Sequence, residues 1–455
     1  MGKIERKNAW LTADRQKVTD FCEEYKKFLT ASKTEREAVT NSIRICEENG
    51  FRCLDDMDTL KAGDKVYAQL YGKTFAAFVI GEEPMKNGMN ILGAHIDSPR
   101  VDVKQNPLYE DHDIALLDTH YYGGIKKYQW VAREMAIHGV VCRTDGTTVN
   151  IAIGDQPDDP VFEFSDLLIH FSAEQMQKTA AKAIEGEQLN LTIGGIPAGD
   201  EEKASVKEGI LNILKEMYDI EEDDFLSAEL EIVPAGPARD VGFDRSMILG
   251  YGHDDRVCAY TSLMGLINAE NLKKTSVVIL TDKEEVGSIG ATGAQSHFFE
   301  NTVAEVMEKC GQYTEMNVRR ALANSKMLSS DVNAAYDPNF PEVNEMKNTC
   351  FFGKGIVMAK FTGRGGKSGC NDARAEFVAQ VRGIFDRNHV AWQTSELGKV
   401  DVGGGGTIAY ICANYGMDCV DMGVAVQNMH APCEVVSKVD VYEAMRAYKA
   451  FVEEA

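Results

Sequence analysis

Apolar positions in the first fifty residues recur at helical spacing. Thr34-Glu35-Arg36-Glu37 opens a segment bearing Val39, Ile43 and Ile45, and Gly50 closes it as a residue after a helix end would. Short unbroken apolar runs follow over 76–80 and 89–94, the length expected of strands. The second runs into Gly93-Ala94-His95-Ile96-Asp97-Ser98-Pro99, so a buried strand ends on polar side chains. From about 106 to 238 the texture changes. Short alternating runs over 140–143, 149–153, 167–171 and 189–193 are separated by Gly, Pro and Asp turns, and one amphipathic helix over 204–217 interrupts them. Pro-Ala-Gly-Pro at 234–237 has the composition of a return linker.

From Gly242 helices and strands alternate again. Helices are predicted over 257–269, 303–309, 374–385 and 441–452, with strands over 277–280, 327–330 and 419–426. This alternation predicts an α/β fold, a doubly wound and mostly parallel sheet with helices on both faces. Residues 1–105 and 239–455 would form that domain, and 106–238 a β-rich insertion.

Composition narrows the partners. The chain has 455 residues, 44% hydrophobic and 26% charged, which suits a large domain carrying an insertion. No apolar run reaches the roughly 18 residues that cross a bilayer. The charged start, MGKIERKNAW, lacks the apolar core of a secretory signal. A net charge of −23 argues against nucleic acid and anionic membranes. Eleven scattered cysteines without a CxxC pair indicate neither a disulfide framework nor a zinc knuckle, and reduced thiols in a cytoplasmic setting are expected.

Five places share one format, an apolar strand or tight turn ending in a side chain able to bind metal. They are His95 with Asp97; Asp254 with Asp255 in GHDDR; Glu284 with Glu285 after VVILTDK; Asp331 in MLSSDVNAA; and His430 in VAVQNMHAP. A lone strand-end Asp is more often a cap or turn residue, and a lone histidine is usually structural. Five in series point instead to a dinuclear site, because imidazole and carboxylate together serve zinc, cobalt and manganese. In such sites one carboxylate bridges two ions about 3.5–4 Å apart. An H-x-D spacing on extended chain puts His95 and Asp97 on one face.

The order and spelling of HIDSP, GHDDR, DKEEVGS, SSDVNAA and NMHAP resemble the M18 metalloaminopeptidases, which include aspartyl aminopeptidase and vacuolar aminopeptidase I. The similarity extends into the insertion, where HYYGGIKKYQW, AREMAIHGVV and LLIHF resemble family segments. The resemblance implies an aminopeptidase acting on small peptides. His95 and Asp331 would hold one metal, Glu285 and His430 the other, and Asp254 would bridge them. The two divalent ions would be zinc first, with cobalt or manganese as alternatives. Glu284 would be the general base, Asp97 would orient His95, and His170 of the insertion would act in a neighbouring subunit's site. The insertion would be a dimerisation domain, and the assembly a homo-oligomer, a tetrahedral dodecamer. The chain departs from the family in GHDDR, where PRIDN is usual, and in Cys433, where the family has Arg.

Two other functions remain open on these residues: a dinuclear amidohydrolase or deacylase on the same scaffold, and a non-catalytic assembly protein. Other chemistry is excluded. Gly366-Lys367-Ser368 ends like a phosphate-binding loop, but Phe361 stands where that motif needs glycine. Neither HExxH nor G-x-S-x-G occurs.

Overall fold

The computed structural model describes residues 7–199 and 205–455, so the first residue of the helix predicted over 204–217 lies outside it. Among the described residues the architecture is mixed α/β with three sheets. The chain divides into two compact units. One comprises the residues through Asp97, then Ala238–Met429 and Glu434–Ala455; the other comprises Ser98–Pro237 with His430–Cys433.

The first unit is organised by a nine-stranded sheet. Its order is Arg52–Cys53, Lys65–Leu70, Thr74–Val79, Ser276–Thr281, Asn90–His95, Lys326–Ser329, Asp418–Gly423, Ile356–Ala359 and Trp392–Thr394. The four strands from Ser276–Thr281 to Asp418–Gly423 are mutually parallel. Antiparallel partners flank them, Thr74–Val79 on one side and Ile356–Ala359 on the other, so the sheet is mixed. Ser276–Thr281 and Asn90–His95 are buried along their whole length, which is why they read as continuous apolar runs.

Successive side chains of these strands point to opposite faces. Leu92, Ala94, Val278 and Leu280 join one core with the helices Arg15–Ala31, His253–Ile267, Ala375–Arg387 and Lys438–Glu454. Ile91, Val277 and Ile279 join a second core with Phe298–Lys309 and Glu315–Ala323. The helix predicted from Thr34 spans Glu35–Glu48, and its capping box is formed by Thr34 and Glu37.

A five-stranded sheet in the same unit was not legible as such. Its order is Arg239–Val241, Met247–Gly250, Glu434–Ser437, Ala425–Gln427 and Asn333–Ala334. The single strand expected over 419–426 breaks after Gly423, and Ala425–Gln427 crosses into this second sheet. The break lies where the chain crowds Asp331: a Cβ on Gly423 would sit 1.8 Å from the Asp331 carbonyl oxygen.

Among its described residues the second unit carries seven strands, all paired antiparallel: Thr148–Ile153, Met135–Cys142, Ala228–Pro234, Arg100–Asp111, Ile114–Tyr122, Leu191–Gly194 and Glu163–Phe164. His112 and Asp113 join the longest two with positive φ at both positions, the geometry of a two-residue hairpin turn. One expectation is corrected here. The run 167–171 forms no strand but a short 3-10 turn, Ile169–Phe171, with Ile169 and Phe171 each 72% exposed. Its apolar side chains gain no core within this unit, so apolar content alone misled the strand assignment. Among the described residues no helix is long and apolar enough to cross a membrane.

Candidate metal centre

Three neighbouring parallel strands send their carboxyl ends to one edge of the large sheet. Asn90–His95 ends on His95 itself, with Thr281 directly opposite in register. Beyond Thr281 the chain passes Asp282 and makes a tight turn, Glu284–Val286. Lys326–Ser329, on the other side of Asn90–His95, continues through Ser330 to Asp331. Parallel strands leave their functional groups in the crevice at this end. A fourth contribution comes from Gly252–Asp255. Asp254 and Asp255 have non-helical backbone at the head of the His253–Ile267 helix, and a cis peptide joins them.

Asp97 ties these pieces together. It is fully buried, and its Oδ1 lies 3.2 Å from His95 Nδ1. The Asp97 carbonyl oxygen is 3.0 Å from the same ring nitrogen. Both contacts are acceptors, so Nδ1 carries a proton and Nε2 is the ring nitrogen turned toward Asp254. The two Asp97 carboxylate oxygens also accept the backbone N–H groups of Glu284, at 3.1 Å, and Glu285, at 3.2 Å. One side chain thus fixes both the imidazole and the glutamate turn.

His95 Nε2 lies 3.1 Å from Asp254 Oδ1. Three overlapping sets bring ligand atoms within 4.8 Å of one another: His95, Glu284 and Asp331; His95, Asp254 and Glu285; Asp254, Asp255 and Asp331. One imidazole with carboxylates is a donor set suited to zinc, cobalt or manganese. The fit is supported by Asp255, whose buried carboxylate oxygens have no hydrogen bond of good geometry. An ionised carboxylate in that state is costly unless a cation is beside it.

Titration directions report the crowding of charge. Burial pushes the Asp331 carboxyl up, and the nearby Asp255, Asp254 and Glu284 charges push it further, against the pull of His95. Burial likewise raises Asp255. For His95 burial favours the neutral ring, but hydrogen bonds to Asp254 and Asp97 and their charges outweigh it, so its pKa lies above the usual value. His253 goes the other way, lowered to about 3 by burial.

Two predicted residues belong to the second unit. His430 groups with the second unit, where its Nδ1 is 2.8 Å from the Gly124 carbonyl oxygen, and it enters none of the three ligand sets. His170 sits in the exposed turn Ile169–Phe171 of that unit. Other residues were missed as parts of the centre. Glu434 Oε2 accepts the Asp254 backbone N–H at 3.0 Å, the Tyr25 hydroxyl is 2.6 Å from His253 Nδ1, and Arg256 Nε donates to the Ile96 carbonyl at 3.1 Å. An acid opening the apolar run Glu434-Val435-Val436 is a visible signal for the first. Tyr25 carries none, because it reads as an ordinary core position of its helix.

Comparison with known proteins now decides the family. The family model for the aminopeptidase I zinc metalloproteases (M18) matches residues 28–452. The chain belongs to the M18 family. It is a metalloaminopeptidase, a hydrolase of a zinc-dependent family. The probable M18 family aminopeptidase 1 of Clostridium acetobutylicum is 58% identical over 456 residues, covering 98% of each chain. The crystal structure of the M18 aminopeptidase of Thermotoga maritima, 45% identical, matches with a TM-score of 0.96 over 100% of both chains. That of aminopeptidase I from Clostridium acetobutylicum, 55% identical, gives 0.92 over 98% of this chain and 99% of its own. The yeast mApe1 dodecamer, at 20% identity, gives a TM-score of 0.76 over 96% of this chain and 97% of its own, and shares the fold.

Proposed function

We propose that this M18 enzyme removes the N-terminal residue from small peptides at a dinuclear centre, with zinc as the first candidate metal and cobalt or manganese as alternatives. The observation that carries the reading is the convergence of His95, Asp254, Glu284, Glu285 and Asp331 in overlapping sets, with Asp97 holding both His95 and the glutamate turn. His95 and Asp331 would hold one ion and Glu285 the other, with Asp254 available to both. His430 joins Glu285 on the strength of the NMHAP resemblance. When bound, ions held by these residues would supply Lewis acidity.

Glu284 takes the proton from the attacking water and returns it to the leaving amine. Asp97 holds a proton on Nδ1 of His95, so that Nε2 is the nitrogen that would meet an ion. Carboxylates around the crevice favour a cationic free N-terminus over an internal peptide bond. This charge preference supports aminopeptidase action over the deacylase alternative.

The architecture is read as a doubly wound metallopeptidase domain, 1–105 with 239–455, carrying a β-rich dimerisation domain, 106–238. The assembly is read as a homo-oligomer, a tetrahedral dodecamer in the cytoplasm, with His170 reaching a neighbouring site. The dodecameric yeast relative and the exposed apolar turn around His170 support the assembly.

The test pairs a substrate panel with one variant. Aminoacyl-arylamides should turn over and N-acyl amino acids should not; the reverse pattern would sink the aminopeptidase reading. Glu284→Gln should retain its metal content by elemental analysis while turnover falls by about 10²–10⁴-fold, the range of general-base catalysis. Full activity in that variant would remove Glu284 from the base role.

A further inference from the structure

We infer that Glu434 is a positioning residue for the candidate metal centre, clamping the backbone of Asp254 so that its carboxylate is held among the candidate ligands. The inference rests on the dinuclear reading, in which Asp254 is the shared ligand. Glu434 opens the strand Glu434–Ser437, which pairs antiparallel with Met247–Gly250, and Gly250 stands opposite Glu434 in register. The chain leaves that pairing at Gly250 and reaches Asp254 four residues later. The Glu434 side chain spans the gap. It is 1% exposed, and its Oε2 accepts the Asp254 N–H at 3.0 Å.

The residue type is informative. The next two residues of the strand, Val435 and Val436, are buried and apolar, and packing alone would be served by another apolar side chain. A buried carboxylate is costly, so its presence implies donors that need it. Asp254 has non-helical backbone ahead of its helix, so its N–H needs a partner from outside the helix. A charged acceptor gives that N–H a stronger hydrogen bond than a neutral one. On the other side, His253 is held by the Tyr25 hydroxyl at 2.6 Å. Asp254 is therefore gripped at its own N–H and through its preceding residue, and neither grip uses its carboxylate. That is how partners outside the ligand set orient a ligand, and losing one typically weakens metal binding about 10–100-fold.

The test uses the full chain stripped of metal and titrated with Co²⁺, followed by visible absorption with chelator competition. Thermal melting of the metal-free protein runs in parallel. Glu434→Ala removes the acceptor and should bind Co²⁺ about 10–100-fold more weakly, with a changed absorption band. Glu434→Gln keeps an acceptor oxygen at the same reach and should stay within a few-fold of wild type. Glu434→Asp keeps the charge but withdraws the oxygen by one methylene. It should lose affinity about tenfold even though its melting temperature holds, which separates positioning from a role in folding. Should Glu434→Ala not fold, Glu434→Asp against Glu434→Gln carries the comparison. Wild-type Co²⁺ binding in both Glu434→Ala and Glu434→Asp would overturn the inference. Asp254→Asn is the control for the reading beneath it. If wild type takes up fewer than two Co²⁺ per chain, or Asp254→Asn binds like wild type, the dinuclear assignment falls. A defective Asp254→Asn beside unaffected Glu434 variants would overturn only the role of Glu434.

Discussion

Asp97→Asn is the sharpest perturbation of the centre, because three hydrogen-bond donors converge on one buried carboxylate. Glu284 N–H and Glu285 N–H reach its two oxygens at 3.1 and 3.2 Å, and His95 Nδ1 lies 3.2 Å from Oδ1. The amide is nearly isosteric, so packing is preserved. It has one acceptor oxygen instead of two, and its NH2 must face one of the glutamate N–H groups. One donor is left unpaired, at a cost of about 1–3 kcal/mol. Because the unpaired donor belongs to the turn that carries Glu284 and Glu285, the cost appears as misplacement of the proposed base and ligand. At 1.4 kcal/mol per factor of ten, kcat/KM should fall by about one to two powers of ten. The assay is arylamide hydrolysis at saturating zinc, with zinc affinity measured by chelator competition. The loss should persist at saturating zinc, since it resides in the geometry of the turn. A variant whose kcat/KM and zinc affinity both stay within about twofold of wild type would refute the view that Asp97 organises the centre.

Two further outcomes test the supporting structure. A Cβ at Gly423 would lie 1.8 Å from the Asp331 carbonyl oxygen, a backbone atom that cannot swing aside. Gly423→Ala should therefore lower stability by about 1–3 kcal/mol and weaken zinc binding, whereas Gly406→Ala, with open space around the new methyl, should do neither; calorimetry with zinc titration reads both. Asp421 is buried, and burial raises its pKa to about 7 although Thr407 donates to it at 2.6 Å. A raised carboxyl pKa means the folded state holds a proton that the unfolded state, titrating near 3.8, has lost. Its effect on stability is absent below about 3.8 and becomes an increasing penalty as pH rises towards 7. Asp421→Asn should consequently raise the melting temperature at pH 8 by more than at pH 5, and an equal shift at both would refute it.

Much of the centre was legible because its residues share a local format that survives in one dimension. His95, Glu284, Glu285 and Asp331 each follow an apolar run, and parallel register brings those run ends to one edge. The second sheet of that unit was not legible. Its strands are two to four residues long, too short for a period to show, and residues 425–427 read as a continuation of the run before them. The hairpin formed by Arg100–Asp111 and Ile114–Tyr122 was hidden for a different reason. It carries Asp102, Lys104, Glu110 and Asp118 among its apolar positions, so its pattern resembles loop. The run 167–171 was misread in the opposite sense, since exposed and buried apolar stretches look alike before packing is known. Glu434 and Tyr25 act across separations of 180 and 228 residues, and pattern within a window cannot report such contacts.

The same crowding that makes the centre suitable for cations makes it a burden to the bare chain, and this yields a prediction with opposite signs in two conditions. Asp331 shares one ligand set with Asp254 and Asp255 and another with Glu284, with ligand atoms within 4.8 Å. Two like charges at that separation repel by about 3 kcal/mol at an effective dielectric near 20. Asp331→Asn removes such repulsion while keeping the side-chain volume. Because burial and these neighbours already push the Asp331 carboxyl up, the relief is full only where the wild-type group is ionised, so the comparison belongs on the alkaline side of neutrality. There, metal-free Asp331→Asn should melt above metal-free wild type by a few degrees, at about 1 °C per kcal/mol for a chain of 455 residues. Added zinc should reverse the order. Ions that bind only the folded state stabilise by an amount that grows with occupancy, and the variant lacks one of the proposed ligands. Melting curves with chelator and with excess zinc should therefore cross. If the variant melts at or below wild type without metal and gains as much from zinc, Asp331 is an ordinary structural acid and its place among the ligands is lost.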